Sequence, residues 1–183
     1  LKYSPLNKEY QELRSSIYQE INANITSQTK PSQNHTQQKY NAEYYNQEGI
    51  RFFEAQDINK AENYFKKAIE LSPNFAKGYN NLANIEFFKG NLDKSLEYCN
   101  KAIKYDPEYT DSYYNIALIY KQKKDLNNSI NYLNKVLTID PSYFQAYYTR
   151  ALIYHKKGDN LKAISDFNKV LNIKDDHFGA AYN

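Results

Sequence analysis

The sequence predicts an all-α protein: a solenoid of helix-turn-helix repeats with an extra amphipathic helix at its N-terminus. Three observations carry this reading. Residues 101–120, KAIKYDPEYTDSYYNIALIY, recur 34 residues later as KVLTIDPSYFQAYYTRALIY and 34 residues earlier as KAIELSPNFAKGYNNLANIE. Within each unit the apolar residues fall on a helical period twice. Prolines stand at one phase of the repeat: Pro73, Pro107 and Pro141. A fixed period of this length is a packing signature, because each unit is one supersecondary element whose apolar face the next unit must cover.

The elements follow in chain order. In residues 1–25 the stripe Leu6, Tyr10, Leu13, Ile17, Ile21 and Ile25 marks an amphipathic helix, with Pro5 where a helix can begin. Two roles fit it, covering the open side of the first repeat or docking on another protein; binding a membrane surface fits less well, because its polar face carries both Glu and Lys. Residues 26–41 read as a flexible polar connector, without an apolar side chain between 26 and 39. Four units occupy 42–75, 76–109, 110–143 and 144–177. In the second, Tyr79, Leu82, Ala83 and Phe87 mark a first helix; Leu92, Leu96, Cys99, Ala102 and Ile103 mark a second. Between them Gly90 permits the turn and Asn91 can cap the second helix. Asp57, Asp125 and Asp159 hold the same capping phase. The prolines end the second helices by biasing the residue before them towards extended backbone. Asp175 takes the proline's place in the fourth unit, and 178–183 read as the start of a truncated further helix. Phe167, Val170 and Leu171 then want a cover, which a short helix, more repeats or a partner could supply.

Small residues recur where helices must approach closely: Gly49, Ala83, Ala117 and Ala151, then Ala61, Ser95, Ser129 and Ala163. Larger ones fill the adjoining holes: Tyr45, Tyr79, Tyr113 and Tyr147, then Phe65, Cys99, Leu133 and Phe167. In the first unit Tyr45, Gly49, Ala61, Phe65, Ala68 and Pro73 stand where the tetratricopeptide repeat has its aromatic, small and proline positions. The chain resembles that family over residues 42–177. It departs at Arg150, which replaces a leucine, and at Cys99 and Leu133, which replace an aromatic. The resemblance implies a right-handed superhelix whose first helices line a concave groove.

Carried over by position, that groove is lined by Asn46, Ile50, Lys77, Asn80, Asn84, Phe88, Tyr114, Leu118, Lys121, Tyr148 and Leu152. Asparagine offers donors and an acceptor to an extended backbone, and tyrosine and leucine can seat side chains. The implied role is a protein-interaction scaffold or adaptor, taking a partner's extended peptide or helix as a subunit of a larger complex. A second reading is a substrate-positioning region beside a catalytic domain. A third is a co-chaperone for an acidic chaperone tail. For that clamp Asn84 and Asn115 match, but Asn80, Gln145 and Thr149 stand where its three cations belong.

Composition agrees with a binding module. The net charge of +3 comes from 24 basic and 21 acidic residues, and arginine occurs only at 14, 51 and 150. That surface argues against a nucleic-acid partner. A lone Cys99 allows no internal disulfide, and no apolar run is long enough for a membrane span. His35, His155 and His177 are scattered, with no metal spacing and no phosphate loop or nucleophile motif nearby. We therefore expect no enzyme activity, no cofactor, and a cytoplasmic or other intracellular site of action. The chain starts at Leu1 and holds no methionine, as expected of a processed chain or a piece of a longer protein.

Overall fold

A computed structural model describes residues 40–180, with side chains to residue 173. The helix expected within 1–25 lies outside the described residues, as does most of the connector. Eight helices follow: α1 (Ala42–Glu54), α2 (Ile58–Leu71), α3 (Ala76–Phe88), α4 (Leu92–Tyr105), α5 (Thr110–Gln122), α6 (Leu126–Ile139), α7 (Phe144–Lys156) and α8 (Asn160–Ala180). Each odd helix packs antiparallel on the even one after it, and each even helix packs on the next pair. The result is an all-α stack of helix-turn-helix pairs.

The helix starts have local causes. The carboxylates of Asp57 and Asp125 accept from the backbone N–H three residues on, at 3.2 and 3.0 Å, and Asp159 does so at 3.4 Å. Each satisfies one of the amides a helix start leaves unbonded. Asn91 holds the same position by backbone alone. Its side chain turns away and donates from Nδ2 to Glu86 Oε2 at 2.8 Å. The cause is Glu86, a carboxylate buried to 2 % exposure that needs donors; Asn91 and Lys94 Nζ, at 3.0 Å, supply them. Burial pushes the Glu86 carboxyl up, but the Asn91 and Lys94 bonds and the charges of Lys94 and Lys89 prevail and hold it below its usual range.

Between paired helices one residue turns left-handed at the same phase every time. It is Gln56 at φ 63°, Gly90 at 82°, Lys124 at 64° and Gly158 at 81°. Glycine takes that geometry freely and the other two bear its strain. At the far ends Ser72, Asp106 and Asp140 are extended, with φ between −129° and −136°, each just before its proline. The fourth unit differs. Asp175 keeps an N–H and has no ring to clash with the preceding turn, so α8 runs on for 21 residues. Positions 178–180, expected as the start of another helix, are its last residues.

The core is three clusters, one at each junction between pairs. Phe65, Leu82 and Ile85 centre the first; Cys99, Ile116 and Ile119 the second; Tyr113, Leu133, Val136 and Ile153 the third. The small residues admit this approach: a Cβ on Gly49 would sit 2.5 Å from the Phe65 ring. Ser95 and Ser129 add a bond, each donating to the carbonyl of Ala83 or Ala117 at 2.8 Å. Tyr79 and Tyr113 tie pairs together by donating to the carbonyls of Pro73 and Pro107 at 3.1 and 3.0 Å. Cys99 is fully buried, and burial pushes its thiol up to about 12, far from a reactive thiolate.

Arg150 enters this frame where inner units carry Leu82 and Ile116. Its guanidinium grips Asp166 through two bonds of 2.7 Å, and Asn134 Oδ1 accepts a third at 2.6 Å. Inner units place Tyr98 and Tyr132 at the Asp166 position, within the same clusters as Leu82 and Ile116. Where the inner units have an aliphatic residue and a tyrosine in one cluster, the fourth has a bidentate ion pair, with Asp166 at 5 % exposure.

Candidate functional site

The first helices lie side by side: α1 touches α3, and α3 touches α5. Their shared face, with the residues capping α5 and α7, encloses a cleft of about 470 Å³. Asn46, Ile50, Lys77, Asn80, Asn84 and Tyr114 all line it. The other residues assigned to the groove from sequence lie outside this cleft. Phe88 is 68 % exposed, with its ring edge-on to Phe53 at 6.4 Å. Tyr148 and Leu152 stand exposed on α7, Lys121 is exposed near the end of α5, and Leu118 is partly buried.

A ladder of side-chain bonds crosses the groove floor with the repeat's own period. The fifth residue of one unit meets the sixth residue of the next. Asn81 Nδ2 donates to Asn46 Oδ1 at 2.7 Å, and Asn115 Nδ2 to Asn80 Oδ1 at 2.8 Å. The Tyr114 and Thr149 hydroxyls meet at 3.0 Å. Ser112 Oγ adds a second donor to Asn80 Oδ1 at 2.9 Å, and Asn115 Nδ2 also reaches Asn84 Oδ1 at 2.7 Å.

This ladder corrects the expectation that the fifth residue of each unit faces an open groove. Asn46 and Asn80 are buried, at 2 % and 4 % exposure, and their oxygens are already engaged. Tyr114 is half-buried, its ring centroid 5.3 Å from that of Tyr143. Burial holds its phenol above the ordinary value, against the opposing bond from Thr149. Asn84 remains available, because no described residue accepts from its Nδ2.

Sequence reasoning missed two residues of the wall, Tyr109 and Tyr143. Each stands just before a first helix, and both line the cleft. The signal was in the repeat: Phe75, Tyr109 and Tyr143 are aromatic at intervals of 34. Tyr143 Oη donates to Asp111 Oδ1 at 2.8 Å. Across the cleft Lys77 Nζ lies 3.4 Å from Glu43 Oε2, and Gln47 Nε2 donates to Glu43 Oε1 at 2.9 Å. The site therefore offers amide donors, phenol rings and carboxylates on a curved floor. Among the described residues no group of three or more His, Cys, Asp or Glu could hold a metal ion, and no helix is long and apolar enough to cross a membrane.

Comparison with known proteins places this architecture. Models of the tetratricopeptide repeat match residues 42–75, 76–109, 110–143 and 144–177. No curated protein matches the chain. Among solved structures it is similar to a crystal structure of MamA, with 24 % identity, a TM-score of 0.66, and coverage of 76 % of this chain and 81 % of that one. MamA from residue 41 onwards, from Desulfovibrio magneticus RS-1, gives 20 % identity and a TM-score of 0.63 over 78 % and 80 % of the two chains. The Cut9–Hcn1 hetero-tetramer of the APC/C gives 18 % and 0.65, covering 73 % of this chain and 27 % of that chain. These likenesses show the fold. With family models matched over most of its length, the chain belongs to the tetratricopeptide-repeat family, whose helix-turn-helix units stack into α-solenoids with the character of protein-interaction scaffolds.

Proposed function

We propose that residues 42–177 act as four in-phase units of a scaffold or adaptor, and that the groove takes a peptide or helix from a partner in a larger assembly. The observation that carries this is the cleft of about 470 Å³ between α1, α3 and α5, with Asn84 free to donate. Outside it, exposed Phe88, Tyr148 and Leu152 on the first helices offer apolar anchors.

Site-specific photocrosslinking in native cells tests it. A photoreactive amino acid replaces Phe88 or Tyr148 on the first helices, or Glu97 on α4, in the intact protein. The groove reading expects adducts from 88 and 148 to map to one segment of one partner, with none from 97. Adducts from 97 alone, or none from any site, would overturn it.

A further inference from the structure

We propose that the segment this groove binds is basic, with a lysine or arginine side chain seated between Tyr109 and Tyr143 against Asp111. The proposal rests on the groove reading above and adds the chemistry of the partner. A second hollow of about 390 Å³ adjoins the first and shares Tyr109, Asp111 and Tyr143 with it. Asp106, Glu108 and Asp140 line its remaining wall with Thr110.

Elsewhere most of the described acidic side chains have a cation beside them, with Glu70 exposed alone and Asp125 bonded to Asn128. Asp57 pairs with Lys60, Glu62 with Lys66, Asp93 with Lys123, Glu97 with Lys101 and Asp159 with Lys162. Among the described residues Asp106, Glu108, Asp111 and Asp140 have no Lys, Arg or His within ion-pair distance. The single cation on either wall is Lys77, already beside Glu43. The chain as a whole carries +3, so this hollow reverses the sign of its surroundings. Burial first, then the charges of Asp111, Asp106 and Glu43, hold the Tyr109 phenol above its usual range. Burial and Asp111 do the same at Tyr143. The field of these carboxylates thus falls on the two rings.

A cationic side chain finds three favourable contacts there. Tyr143 donates to one oxygen of Asp111 and the Tyr109 phenol also reaches this carboxylate, whose remaining lone pairs can take a charge-assisted bond. The phenol faces attract a cation, and the rings can cover its aliphatic stem. The carboxylates are too dispersed to chelate a metal ion. That dispersal suits charges strung along a chain. An acidic segment would be repelled along the same wall.

Anisotropy of two fluorescein-labelled probes on the full chain tests this. Both are 12-residue Gly-Ser peptides, one carrying three lysines and one three glutamates. At low salt the lysine probe should bind at least about 10-fold tighter. The double variant Asp111→Asn, Asp140→Asn should weaken it about 5-fold or more, while Glu97→Gln leaves it unchanged. Asparagine keeps the acceptor oxygens that Tyr143 and Ser142 use, and Glu108→Gln, on an exposed side chain, is a second variant should the first melt early. Equal binding of the two probes, or undiminished binding by the variants, would overturn the proposal. If the lysine probe fails while a partner still crosslinks at 88 and 148, the groove reading survives and the charge inference falls alone.

Discussion

The first three units and the fourth use the same positions in different ways. At the fifth residue, Asn46, Asn80 and Tyr114 are each bonded to the unit that follows, and two of them are buried. Tyr148 holds the same position in the fourth unit and is 50 % exposed, resting edge-on against Phe167 at 5.9 Å. Its neighbours tell the same story. Ile69, Ile103 and Leu137 pack into the junction clusters, whereas Leu171 at their phase is 58 % exposed. Ile164 is likewise open, where Leu96 and Ile130 are packed. In a solenoid, exposure belongs to the place in the array as much as to the residue. A repeat position can bind a ligand only where the next repeat leaves it free.

The sharpest break of this comparison is a pair of truncations. Tyr113→Ala removes a side chain at 4 % exposure from the third junction and should cost about 3–5 kcal/mol. Tyr148→Ala, on an exposed ring, should cost under about 1 kcal/mol. Thermal unfolding of both variants measures the gap, and equal losses would mean that the last unit is as tightly integrated as the third.

Next comes the ion pair of the fourth unit. Asp166→Ala strands the Arg150 guanidinium, and the loss should be about 2–4 kcal/mol, below the usual cost for a broken buried pair because Asn134 still accepts from it. The double change Arg150→Leu, Asp166→Tyr restores the inner-unit chemistry and should recover most of that stability. Amide exchange by residue should place the single variant's loss in α7 and α8, with α1 to α4 still protected. A double variant no better than the single would show that the two units are not interchangeable in packing.

The ladder is the smallest of the three. Asn115→Ala deletes the donor to Asn80 and Asn84 and should cost about 1–2 kcal/mol. The effect is modest because Ser112 still donates to Asn80. Because Asn84 would then be released, the lysine probe should bind the variant no more weakly than the parent chain. A loss of binding would instead make the ladder part of the recognition surface.

Much of the fold was legible in the residues alone. The prolines end α2, α4 and α6 for a reason that acts within two residues, namely ring sterics on the preceding backbone. The aspartates at 57, 125 and 159 cap for an equally local reason. The small residues Gly49, Ala83 and Ala117 mark close approach: the two alanines are fully buried, and at Gly49 even a Cβ would collide with the Phe65 ring. The long α8 was not legible: Asp175 stands at the proline's place, yet 178–183 were expected to begin a further helix, and α8 instead runs on to Ala180. Local steric rules of this kind do not depend on what lies across the fold.

Tertiary structure decided the rest. Asn91 has the residue type and place of a cap, yet Glu86 from the preceding helix draws its side chain away. Arg150 and Asp166 lie 16 residues apart, and only the pairing of α7 with α8 turns two polar oddities into one bond. Asn80 and Asn115 lie 35 apart, and their chemistry suggests ligand binding until the stack shows them satisfying each other. Within residues 42–173 the sequence by itself determined which segments are helices and where α2, α4 and α6 stop, because backbone geometry and steric size are properties of single residues. Which polar side chains remain free for a partner was settled only by stacking, because a hydrogen-bonding group takes whichever partner the assembled array brings within reach.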